Sequence, residues 1–90
     1  MNTKLLNYRI IVETEEKQKG QKVYVAYAPT LGISDFGKSV EDAVSHMEEA
    51  IKLYIETLIE ENQEVPSPDT DDYFVTSRKI QVNMSIPQSR

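Results

Sequence analysis

Ser39-Val40-Glu41-Asp42-Ala43-Val44-Ser45-His46-Met47-Glu48-Glu49-Ala50-Ile51-Lys52-Leu53-Tyr54-Ile55-Glu56-Thr57-Leu58-Ile59-Glu60-Glu61-Asn62 organises this 90-residue chain. Its apolar residues Val40, Ala43, Val44, Met47, Ala50, Ile51, Tyr54, Ile55, Leu58 and Ile59 recur every three or four positions, the pattern of a helix with one buried face. The helix is predicted over about 40–62. Ser39 is its N-cap, and Glu41 and Asp42 place negative charge at the positive end of the dipole. A Ser39→Ala change should cost about 1 kcal/mol. Asn62 tolerates left-handed geometry and marks the end, while Pro66 and Pro68 bar continuation.

Upstream the pattern changes to period two. Leu6, Tyr8, Ile10 and Val12 share one face of a strand over about 6–13. A polar stretch ending at Gly20 reads as a hairpin connection to a second strand, 22–28. There Val23, Val25 and Tyr27 face one way and Tyr24, Ala26 and Ala28 the other. Both faces are apolar, more than an open edge strand needs. Pro29 ends this strand, Thr30-Leu31-Gly32 turns the chain, and 33–36 form a short third strand.

Downstream, residues 63–72 hold two prolines and four acids and read as a loop, with a composition compatible with ordering on complex formation. A last strand is predicted over 74–86, with Ile80, Val82, Met84 and Ile86 on one face and Lys79, Gln81, Asn83 and Ser85 on the other. The expected architecture is α+β: a two-layer βββαβ unit, one domain over 1–90, with a single long helix on a small, mostly antiparallel sheet. One helix covers one sheet face. The apolar residues on the other face argue for self-association or a partner.

The chain has no cysteine, which excludes disulfides and thiolate metal sites. It has no apolar run of bilayer length and no secretory leader in its first residues, so the expected location is the cytoplasm, away from membranes. The net charge of −5 is unevenly spread. Residues 41–72 hold eleven acids against one base, Lys52, whereas residues 73–90 hold Arg78, Lys79 and Arg90 with no acid. An acidic surface disfavours nucleic acid and suits a basic protein, although a solvated helix face explains such charge equally well.

No catalytic or cofactor-binding group assembles. His46 is the only histidine and lies off the apolar stripe, so it is read as a surface residue rather than a metal ligand or base. Glu13, Asp35, Glu48 and Glu49 could serve a two-metal nuclease only by converging on one point. Glu48 and Glu49 instead diverge by about 100° around a helix. Gly37-Lys38-Ser39 resembles the end of a phosphate-binding loop and Asp35-Phe36-Gly37 a kinase tripeptide; both are set aside as chance matches. Lys79, Gln81 and Asn83 are the one polar, basic strand surface that could contact nucleic acid.

Several spaced segments together resemble the HicB-like antitoxin family: Tyr8-Arg9-Ile10-Ile11-Val12-Glu13, Tyr24-Val25-Ala26-Tyr27-Ala28-Pro29, Leu31-Gly32 and Gly37-Lys38-Ser39-Val40-Glu41-Asp42-Ala43. Glu49-Ala50-Ile51, Tyr54, Glu60-Glu61-Asn62 and Val65-Pro66-Ser67-Pro68 extend the likeness to residues 6–68. Ile33 stands where the family often has cysteine, and a proline common before the glycine is missing. The resemblance implies a partial ribonuclease-H-like domain without catalytic carboxylates. Its implied role is to bind and inhibit a small basic mRNA-cleaving, HicA-like toxin, with homo-oligomers common.

The expected partner-binding residues are Glu56, Glu60, Glu61, Glu64, Asp69, Asp71 and Asp72, by charge complementarity. Val82-Asn83-Met84-Ser85-Ile86-Pro87 is similar to the start of a ribbon-helix-helix, but no helices follow, so DNA binding by the family's usual route is not expected. Two alternatives stay open: a homo-oligomer with no toxin partner, and a DNA-binding autoregulator acting through the last strand.

Overall fold

The cap of the long helix forms as its residues dictate. In the structure, a computed structural model that describes residues 3–85, α1 spans Val40–Glu60. The Asp42 amide donates to Ser39 Oγ at 3.0 Å, and Asp42 Oδ2 accepts from the Lys38 amide at 2.9 Å. Two orphan amides are thereby satisfied at the helix entrance. At the exit, Asn62 adopts φ 56°. The Asn62 amide donates to the Ile59 carbonyl and the Gln63 amide to the Leu58 carbonyl. This paired closure with a left-handed residue at its centre is a Schellman end, which is why the helix stops at Glu60.

Three strands precede it: β1, Ile11–Glu16; β2, Lys22–Ala28; and β3, Ile33–Gly37. They form one antiparallel sheet in the order β1-β2-β3. β2 occupies the predicted span, and β3 runs one residue further than predicted. β1 is displaced from 6–13, for a reason visible in the register. Ile11 lies opposite Tyr27 and Glu16 opposite Lys22, so earlier residues soon pass the end of β2, where Pro29 offers no ladder donor. The backbone of Asn7 and Arg9 bonds to Asp69 instead. At the far end the ladder continues through Glu13-Thr14-Glu15-Glu16, because strand pairing needs backbone rather than apolar side chains. A 3₁₀ turn at Gln18–Gly20 joins β1 to β2, closed by the Lys17 amide donating to Gln21 at 2.6 Å.

The strand expected over 74–86 does not form among the described residues; 74–85 carry no strand, and Ile86 lies outside them. Alternation decides which side chains share a face, but a strand also needs a ladder partner, and this segment leads away from the sheet. The consequence is an extended molecule of 61 × 34 × 21 Å. Its radius of gyration is 17.4 Å, against about 12 Å for a compact chain of this length.

The core lies between α1 and one sheet face. Ala26, Ala28, Ala43 and Met47 are fully enclosed, and Tyr8, Leu31 and Ile55 nearly so. Tyr24, Val12, Ile10 and Ile33 pack against them. Alanines at the contact bring helix and sheet close together. Gly37 continues this at the end of β3: a Cβ there would stand 2.5 Å from the Ala43 amide nitrogen and 2.8 Å from the Asp42 carbonyl carbon. α1 rests chiefly on β3 and β2 and touches β1 far less.

Candidate partner-binding surfaces

The acidic residues at the end of α1 do not act alike. Glu56, Glu60, Glu61 and Glu64 are exposed, as are Asp71 and Asp72. The last turn of α1 contains no basic residue. Among the described residues the ion pairs are Arg9–Asp69 and Asp42–His46, so none of these six acids is neutralised within the chain. Glu56 and Glu60 are four residues apart and repel each other, and Glu60 and Glu61 sit at the negative end of the helix dipole.

Asp69 differs: its carboxylate ties the chain together. Oδ2 accepts from the Arg9 amide at 2.7 Å, Oδ1 accepts from the Thr30 hydroxyl at 2.6 Å, and the Arg9 guanidinium approaches Oδ1 at 3.9 Å. Its own amide donates to the Asn7 carbonyl at 2.8 Å. The Arg9 amide, then the Thr30 hydroxyl, hold the Asp69 carboxyl below the usual aspartate range; burial opposes them, and the Arg9 charge adds the least.

Neighbouring contacts reinforce this anchor. The Tyr8 hydroxyl donates to the Pro66 carbonyl at 2.6 Å, and its pKa is pushed up first by burial and then by Asp69. Arg9 stacks over the Tyr73 ring, 3.3 Å from its centroid. Asn7 Nδ2 reaches Asp71 at 3.4 Å. Residues 66–73 are thus pinned to the N-terminal segment and to the turn at Thr30. Sequence reasoning did not find this set, because its members lie 39 to 64 positions apart and no local pattern links them.

On the sheet, Tyr24, Ala26 and Ala28 face the helix, so Val23, Val25 and Tyr27 form the uncovered face. The register adds Ile11 opposite Tyr27 and Phe36 opposite Val25. Ile11 is 41%, Tyr27 44% and Phe36 62% exposed. Glu13 and Glu15 border a shallow cavity of about 440 Å³ on this face with Ile11, Val25, Tyr27 and Ser34. The expectation of apolar area beyond the reach of one helix is met here.

Lys79, Gln81 and Asn83 lie on the extended segment, all exposed. Asn83 Oδ1 accepts from the Ser85 amide at 2.9 Å. Without a ladder around them they do not form a rigid reading surface.

Spacing alone does not dispose of the phosphate-loop resemblance. Gly32 stands five positions before Gly37, as the motif requires. The fold disposes of it: residues 33–37 are β3, paired to β2, whereas a phosphate loop leaves its amides free to cradle the ligand. The helix entrance behind it is already filled by Ser39 and Asp42.

His46 is exposed but engaged, its Nδ1 lying 2.7 Å from the Phe36 carbonyl and its Nε2 3.4 Å from Asp42 Oδ1. A proton on Nδ1 serves the first contact and a second on Nε2 the other. The imidazole is held above its ordinary value, first by the Phe36 carbonyl and then by Asp42. Among the described residues no three His, Cys, Asp or Glu side chains cluster as a metal site would need. None of the described helices is long and apolar enough to cross a membrane.

Residues 8–86 match the family model described as the HicB_like antitoxin of bacterial toxin-antitoxin systems. The UPF0150 protein ssr1765 of Synechocystis sp. is 41% identical over 66 residues, covering 72% of this chain and 78% of its own length. No solved structure matches. Members of the matched family act by binding rather than by catalysis. On a match that spans nearly all of its length, this chain belongs to the HicB-like antitoxin family.

Proposed function

We propose that this chain is the antitoxin of a pair and neutralises a small, basic, mRNA-cleaving toxin of the HicA-like kind in the cytoplasm. The acidic end of α1 and the segment after it would cover the toxin surface that binds RNA. The observation that carries this reading is the placement of Glu60 and Glu61. They stand at the negative end of the helix dipole, with Glu56 one turn before Glu60 and no basic residue in the last turn. Such charges weaken the isolated helix, and a basic partner relieves the repulsion.

Glu56, Glu64, Asp71 and Asp72 extend the same surface. Asp69 contributes by fixing the segment that carries its neighbours. No catalytic group or cofactor is required, since inhibition follows from cover and charge alone. The test is co-expression with the product of the adjacent gene, followed by co-purification and an mRNA-cleavage titration. Cleavage should stop near equimolar protein; full cleavage at excess protein would reject the reading.

A further inference from the structure

From the exposed segment after Tyr73 and the uncovered sheet face, we infer that two copies of this chain exchange arms, each laying residues 78–84 across the outer sheet face of the other. The arm is exposed along its length, with Ile80 76%, Val82 54% and Met84 82% accessible. In extended conformation these three share one side with Arg78, by the two-residue period. Six residue steps of about 3.3 Å cover roughly 20 Å, the length of a strand such as β2.

The receiving face has matching shape and charge. Ile11, Val25, Tyr27 and Phe36 supply apolar area across all three strands; Glu13 and Glu15 border its Ile11, Val25 and Tyr27 part without a basic residue, while Lys22 and Lys38 lie beside Phe36. Arg78 would meet these glutamates as Ile80 and Val82 settle on Val25 and Tyr27. Of the other cavities, the one between the N-terminal segment and α1 mixes Lys4 and Lys52 with Glu48 and Glu56, and the one beside Phe36 mixes Lys22 and Lys38 with Asp42; neither offers net attraction to a basic arm. A second copy carries both halves of the contact, so reciprocal exchange closes as a two-fold dimer. This surface is separate from the acidic end of α1, so an antitoxin dimer would keep both toxin-binding ends free.

The chain contains no cysteine, which gives a clean background for cross-linking. The experiment uses the full chain alone, with no toxin present. Val82→Cys combined with Val25→Cys should yield a disulfide-linked dimer under mild oxidation, while either single variant stays uncross-linked. Sedimentation velocity should show the parent chain as a dimer. Val82→Glu should weaken association at least tenfold, at a position that is 54% exposed in the isolated chain. Arg78→Glu should weaken it too, and adding Glu15→Arg should restore it. A monomeric parent chain, a closed disulfide within one molecule, or cross-linking by Val82→Cys alone (two arms forming a ribbon with each other) would each overturn the inference.

Discussion

Reversing the charge of Glu60 separates stability from function with opposite signs. Glu60 is the last residue of α1, exposed, with Glu56 one turn before it and no basic residue in its own turn. Replacing it with lysine puts a cation where the dipole favours one, an effect of about 0.3–1 kcal/mol at low salt. The repulsive pair with Glu56 also becomes an attractive pair in the favourable orientation, adding about 0.2–0.5 kcal/mol. Because the side chain is exposed, the lower half of this range applies, and Glu60→Lys should stabilise the fold by about 0.5–1 kcal/mol. For a chain of this size that raises Tm by about 2–8 °C. The gain should shrink in 1 M salt, where the screening length falls to about 3 Å. Toxin inhibition should move the other way, with association about tenfold slower for Glu60→Lys with Glu61→Lys, since charges at an interface act mainly on the encounter rate. Thermal melts at low and high salt, paired with stopped-flow binding, read both effects. A lower Tm, or an unchanged association rate, would refute the reasoning.

Other perturbations follow from the packing and the anchor at Asp69. Gly37→Ala forces a Cβ into the backbone at Ala43 and should cost about 1–3 kcal/mol, read as a lower urea midpoint at unchanged slope. Tyr8→Phe leaves the Pro66 carbonyl without its donor and should cost about 1 kcal/mol, with faster proteolysis within 63–72. Asp69 has a depressed pKa, so its contribution is complete above the ordinary 3.8 and is lost as pH falls through the folded value. Asp69→Asn should therefore flatten the acid limb of a urea-stability profile below about pH 5. His46 has a raised pKa, so its contribution is complete below 6.5 and is lost as pH rises through the folded value. His46→Ala should flatten the profile above about pH 6.

The parts of the fold set by local chemistry were legible. Ser39, Asn62 and the apolar stripe between them placed α1, and Pro29 with Gly32 placed the turn after β2. The split of β2 into a helix-facing side and an open side was also readable, because Tyr24, Ala26 and Ala28 alternate with Val23, Val25 and Tyr27. Features set by distant contacts were not. The start of β1 depends on Asp69, which removes Asn7 and Arg9 from the ladder. His46 looked unengaged because its partner is a carbonyl on β3, a backbone group with no sequence signature. The pattern of Ile80, Val82 and Met84 reads as a strand, but a strand within this chain needs a free ladder that these residues do not reach. Gly37 looked like a fragment of a nucleotide motif; its actual demand is the close approach of β3 to the first turn of α1.

Among the acids, type alone could not distinguish Asp69 from its neighbours. Glu60 and Asp72 remain open to solvent, while Asp69 joins three segments through its two oxygens and its amide. That distinction follows from Thr30 and Arg9 being brought together by the sheet.

Hydrogen exchange on the purified chain, with and without the proposed toxin partner, tests the central claim most directly. The account predicts slowed exchange in the last turn of α1 and across residues 61–73, with β1 to β3 unchanged. Protection confined to the sheet, or none at equimolar toxin, would contradict it.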